Sequence, residues 1–147
     1  MKIAIGSDHG GFALKEQLRA YLESEGHTVI DEGCYSLDRV DYPVYCRAVC
    51  KSVQSKESDY GVLVCTTGIG MSICANKYKG IRAALVHNVD MAKMTREHND
   101  SNVLCLSQKY TLFDEAKEFI DIFLETSFSG GRHLNRVKMI EEAENER

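Results

Sequence analysis

The segment Cys65-Thr66-Thr67-Gly68-Ile69-Gly70 sets a thiol at the end of an apolar run and follows it with a glycine-rich turn. Where such a turn opens a helix, unpaired backbone N–H groups and the helix dipole stabilise an anion. They would also lower a cysteine pKa from its usual value of about 8.5. Cys65 is therefore a candidate base or nucleophile, against the alternative of a buried cysteine closing a strand. Thr66, Thr67, Gly68, Ile69 and Gly70 could cradle an oxyanion, because glycines let the backbone approach a ligand closely. A plain tight turn is the alternative. The segment is not a dinucleotide fingerprint, since Ile73 stands three beyond Gly70, and no Gly-Lys-Ser/Thr follows to make a Walker loop.

Three further groups carry chemistry. Asp8-His9-Gly10-Gly11 puts two titratable side chains at the end of another apolar run, although Asp8 could equally cap the next helix. His98-Asn99-Asp100 falls near a helix end, where a histidine can simply be stabilised by the dipole at the surface. Arg132 and Arg136 are four apart at a helix start, so both guanidinium groups share one face. Converging arginines suit phosphate, which accepts several charge-assisted hydrogen bonds; a solvated face is the ordinary alternative. His27 and His87 read as structural. The six cysteines include no Cys-x-x-Cys pair, and no histidine pair has zinc-ligand spacing. They read as reduced thiols of a cytoplasmic protein.

The elements that must position these groups alternate. Strands are predicted at Lys2 to Ser7, His27 to Asp31, Tyr60 to Cys65, Ile81 to Val86 and Val103 to Leu106. Helices are predicted at about Phe12 to Glu25, from Pro43 to about Ser55, through Met71 to Ala75, at Val89 to Glu97, at Leu112 to Phe123 and from near His133. The acidic tail from Glu141 to Arg147 is expected to fray. This alternation predicts one α/β domain over residues 1–147, a three-layer α/β/α, Rossmann-like fold on a five-stranded parallel sheet. Ligands bind beyond the carboxyl ends of strands in such sheets. That rule selects Ser7-Asp8-His9, Cys65 to Gly70, His87-Asn88 and Ser107-Gln108-Lys109.

Composition narrows the class. Hydrophobic residues make up 44% and charged residues 27%, the profile of a globular domain. A net charge of −4 without a basic stripe argues against nucleic acid. No window approaches the roughly 20 apolar residues of a membrane span, and the short N-terminal apolar run reads as a strand rather than a signal peptide.

Taken together, the motifs resemble a family. Gly6-Ser7-Asp8-His9-Gly10-Gly11-Phe12, Asp41-Tyr42-Pro43, Cys65 to Gly70, Ala75-Asn76-Lys77, Gly80-Ile81-Arg82, Arg96-Glu97-His98-Asn99-Asp100 and Gly130-Gly131-Arg132-His133 are similar to those of ribose-5-phosphate isomerase B. That group also holds allose-6-phosphate and galactose-6-phosphate isomerases, and the likeness runs from Lys2 to about Ile140. The resemblance implies an aldose–ketose isomerase that interconverts ribose 5-phosphate and ribulose 5-phosphate through an enediolate, without metal or organic cofactor. It implies Cys65 as base, His98 in ring opening with help from Thr67, and Asp8, His9, Tyr42 and Asn99 on sugar hydroxyls. Backbone amides of Thr66 to Gly70 would steady the enediolate, and Arg132 and Arg136 would bind phosphate. It further implies a homodimer or dimer of dimers with shared sites.

One branch of the family carries a glutamate base in the glycine loop; Ile69 stands there in this chain. Two other positions depart. Thr66 stands where relatives usually have glycine, a costly choice if positive φ is required there. Lys109 stands where relatives usually place a phosphate-binding arginine, keeping the charge without the bidentate fork. The rival readings are an isomerase of a six-carbon sugar phosphate, a non-catalytic sugar-phosphate-binding relative and a flavodoxin-like nucleotide module. Cys65, Thr67 and His98 together argue against the second, and the missing nucleotide motifs against the third.

Overall fold

The computed structural model describes residues 1–146. Five parallel strands form one sheet in the order β2-β1-β3-β5-β4. They are β1 (Lys2–Ser7), β2 (Thr28–Asp31), β3 (Tyr60–Cys65), β4 (Ala83–Leu85) and β5 (Val103–Ser107). Each crossover carries a helix: α1 (Phe12–Ser24), α2 (Tyr42–Gln54), α3 (Ile69–Ala75) and α4 (Val89–Asn99). After β5 come α5 (Phe113–Glu125) and α6 (Arg132–Ala143).

The central strands β1, β3 and β5 are apolar on both faces because helices cover both. Ile3, Ile5, Val62, Val64, Leu104 and Leu106 pack under α1, α4 and α5. Ala4, Leu63, Val103 and Cys105 face α2 and α3 on the other side. These are the three predicted layers. Local signals set the helix ends. Pro43 sits in the first turn of α2, where its missing N–H costs nothing, and the Asn88 side chain accepts the Met91 N–H to cap α4.

Lys15 is fully buried in an otherwise apolar stripe. Its ammonium pairs with Asp31 at 2.7 Å and donates to the Cys34 carbonyl at 2.7 Å, tying the loop after β2 to α1.

Three boundaries differ from expectation. The fourth strand is shorter than Ile81 to Val86, because Arg82 gives its N–H to the Asn102 side chain and Ile81 its own to the Tyr78 carbonyl. α4 runs on through His98 and Asn99, and Asp100 closes it in the left-handed region. The acidic tail does not fray from Glu141. It stays helical to Ala143 and continues as a 3-10 turn, since Glu141 pairs with Arg82 and Glu144 accepts the Gly80 N–H. Arg147, the last residue of that predicted tail, lies outside the described residues.

β4 is an edge strand. Ala83 turns its N–H and C=O outward, and the Asn76 side-chain amide meets both at 2.9 Å. Among the described residues no helix is long and apolar enough to cross a membrane.

Candidate active site

Cys65 closes β3 and is 4% exposed. The loop after it must turn sharply into α3, and Gly68 makes that turn with φ 77°. A Cβ there would run into Leu85 and the Leu106 backbone, so this position requires glycine. The turn aims the Gly68 N–H at the Cys65 Sγ, 3.1 Å away. The next amide, Ile69 N–H, donates to the Thr67 hydroxyl at 3.2 Å. Two of the predicted oxyanion donors are thus engaged within the loop itself.

Thr66 carries no backbone strain. Among the described residues, positive φ outside glycine occurs only at Lys56 and Asp100. The cost expected of a β-branched residue at this position therefore does not arise. Its Oγ1 fills the space above Gly10, where a Cβ would collide with it. The strand-end segment of β5 braces the same loop. Ser107 Oγ and Lys109 N–H both donate to the Thr66 carbonyl, at 2.7 and 3.0 Å, and Gln108 N–H donates to the Cys65 carbonyl at 3.0 Å. The Lys109 side chain is exposed, its ammonium 5.5 Å from the Tyr110 ring.

At the neighbouring strand end, Asp8 Oδ1 accepts the Gly11 N–H, so the capping reading holds for that oxygen. His9 Nδ1 accepts the Val40 N–H at 3.2 Å. The Tyr42 ring lies against Gly70, close enough that a Cβ there would strike it. Asp8, His9, Tyr42, the Cys65 to Gly70 loop and Lys109 therefore gather at the carboxyl ends of β1, β3 and β5.

His98, Asn99, Arg132 and Arg136 do not join them. His98 and Asn99 form the last turn of α4, and the chain returns from there to the start of β5. Gly61 pairs with Val103 and Cys65 with Ser107, so β5 climbs away from His98 toward Cys65. Four steps of roughly 3.3 Å put about 13 Å of strand between Val103 and Ser107 alone. The amino end is firmly built. Arg96, 5% exposed, pairs with Asp100 at 2.8 Å, and Arg82 donates to the Asn99 and Asp100 carbonyls. Ser129 N–H donates to the Glu97 carbonyl at 3.0 Å, which lays α6 against the end of α4. Arg132 and Arg136 are exposed, and among the described residues neither has an ion-pair partner. One chain thus holds two separate groups, at opposite ends of its sheet.

The stacking of His98 on His133 had no sequence signal beyond the Gly-Gly-Arg-His motif. The ring centroids are 4.3 Å apart and the planes 13° from parallel. Burial, and then the positive groups His98, Arg132 and Arg136, hold His133 below the ordinary histidine range, against Glu97. Beneath the Cys65 loop lies a bed of thiols. Burial, then a hydrogen bond with Cys46, pushes Cys74 up to about 12. A hydrogen bond with Cys50, then burial, raises Cys46, and burial raises Cys105. Among the described residues no group of three or more His, Cys, Asp or Glu side chains is arranged to hold a metal ion.

Residues 3–140 match the model of a family described as Ribose/Galactose Isomerase. The chain is 43% identical to ribose-5-phosphate isomerase B of Escherichia coli strain K12, over 99% of this chain and 98% of that protein. It is also 43% identical to the galactose-6-phosphate isomerase subunit LacB of Clostridium acetobutylicum, over 87% of this chain and 74% of that one. The structure of Clostridium thermocellum ribose-5-phosphate isomerase B superposes with a TM-score of 0.98 at 46% identity, covering 99% of each chain.

Proposed function

The chain belongs to the ribose/galactose isomerase family and is a sugar phosphate isomerase, and from that premise we propose that it interconverts ribose 5-phosphate and ribulose 5-phosphate in sites shared between two copies of the chain. Cys65 takes the proton from C2 of the open-chain aldose, an enediolate forms, and the proton is returned to C1. Asp8, His9, Tyr42 and Asn99 hold sugar hydroxyls, and loop amides face the enediolate. His98 of the second copy opens the furanose, with Thr67 assisting. Arg132 and Arg136 hold the phosphate together with Lys109, and that fixed handle presents the carbon acid to the base.

The observation that carries this reading is the placement of Cys65. Its sulfur closes a strand at the carboxyl edge, receives the Gly68 N–H, and sits in a loop whose Ile69 offers no competing carboxylate. The pairing of two copies is supported by the wide separation of His98 and the arginines from Cys65. It is supported too by apolar side chains left exposed beside the β4 edge: Ile69 and Ile73 on α3, and Val89, Met91 and Met94 on α4. A groove of about 290 Å³ runs there between β4 and α4, from Val86 to Asn99.

The equal identity to the galactose-6-phosphate isomerase subunit favours a second reading, a six-carbon sugar phosphate as substrate. Initial rates on ribose 5-phosphate, allose 6-phosphate and galactose 6-phosphate separate the two. The pentose phosphate is expected to give the highest kcat/KM, and a hexose phosphate that exceeds it overturns the pentose assignment.

A further inference from the structure

His133 has no part in the mechanism above, yet its ring stacks on that of His98. It is only 9% exposed and lies in the first turn of α6. The tether from Ser129 to Glu97 and the bond from Arg96 Nε to the Thr126 carbonyl bring that turn onto the end of α4. Among the described residues neither imidazole makes a side-chain hydrogen bond. The stack is therefore what sets the plane of His98.

Resting on the ring-opening role given to His98, we propose that His133 is a positioning residue for that step, its ring stacked on His98 so that the His98 imidazole keeps one orientation. Opening the furanose breaks the C1–O4 bond. The electron pair goes to O4, which gains a proton, while O1 loses its proton as the C1–O1 carbonyl forms. No oxidant or reductant takes part. An imidazole that gives a proton to O4 must be charged at that moment, and the face of a neutral aromatic ring accommodates a cation. A second charge on the stack is opposed by the first and by Arg132 and Arg136 on α6, and Glu97 on α4 acts the other way on His133. His133 is the drier of the two rings, and burial adds to the opposition to a charge on it.

Two variants and two readouts test this. His133→Ala removes the stack, and His133→Phe keeps a flat ring without a titrating group. Turnover of ribose 5-phosphate, a furanose, requires ring opening. Wash-in of solvent deuterium into ribulose 5-phosphate does not, because its O5 carries the phosphate and the sugar stays open. His133→Ala is expected to lose at least about tenfold in ribose 5-phosphate turnover while exchange and inhibition by inorganic phosphate hold. His133→Phe should restore most of the turnover. Equal loss of turnover and exchange, or weakened phosphate inhibition, would assign His133 a merely structural role and overturn the proposal. So would undiminished turnover in His133→Ala. Imidazole NMR reads the pair without substrate: His98→Gln should move the His133 titration to higher pH, and two independent titrations refute the coupling. A parent enzyme inactive on both pentose phosphates would sink the pentose reading, and the NMR result would still decide the stack.

Discussion

Mixing two dead variants should restore activity to a predictable level. Cys65→Ala removes the proposed base and leaves the amino-end group intact, whereas His98→Ala does the reverse. The register of β3 with β5 sets Cys65 and His98 at opposite ends of one chain, so the proposed shared site takes Cys65 from one copy and His98 from the other. A dimer of unlike variants then holds one site with both residues intact and one with neither. Random pairing after joint unfolding and refolding of equal amounts makes half of the dimers unlike. Half of their sites work, which gives about 25% of parent activity for two-fold symmetric pairs. The assay is turnover of ribose 5-phosphate at fixed total protein, for each variant alone, for the two mixed without refolding, and for the refolded mixture. A refolded mixture as inactive as its components would show that both residues serve one chain, and the shared-site argument would fall.

The remaining predictions concern single groups. Cys65→Ala should abolish isomerisation and leave the fold intact; near-normal kcat on ribose 5-phosphate with an unchanged circular dichroism spectrum would remove Cys65 from the base role. Arg136→Ala should raise KM strongly, since a charge-assisted contact contributes about 1.5–3 kcal/mol, and part of the loss should appear in kcat. Unchanged inhibition by inorganic phosphate in that variant would mean the helix face is merely solvated. Cys74, pushed up to about 12, should react slowly with iodoacetamide at pH 8 although half-buried. Its raised value also has a sign for stability. Above the ordinary thiol value of about 9, the unfolded chain releases protons that the folded chain keeps at Cys46, Cys74 and Cys105, so stability falls as pH rises. Unfolding midpoints from pH 8 to 10 check this, and a midpoint that rises over that interval contradicts it.

All five strands and six helices are legible in the sequence because parallel strands buried on both faces read as unbroken apolar runs, with Val62, Leu63 and Val64 the clearest. The carboxyl-end group is legible for the same reason, since strand ends mark where ligands bind. That rule is silent about His98 and Arg132, which lie at the other end. The signal was present in the alternation itself, because a crossover helix following one parallel strand ends where the next strand begins. Lys15 was harder to foresee. It lies three and seven residues before Leu18 and Leu22, inside the apolar stripe, but its partners Asp31 and Cys34 come from the end of β2 and the loop after it. The strain expected at Thr66 does not occur because Gly68, two residues on, takes the positive φ that the loop requires.

The Asn76 amide on the outer edge of β4 has a consequence for solubility. An edge strand offers open N–H and C=O groups to any passing chain, and flanking apolar side chains make the offer stickier. Ala83 is already occupied on that edge by Asn76, and alternation leaves Leu85 as the other outward-facing rung of the three-residue strand. A stranger's strand therefore finds one free rung where it needs several in a row. Copies that meet along this edge must associate through side chains, whose fit selects a particular partner, and not through a continuous ladder that would accept almost any extended chain and grow without limit.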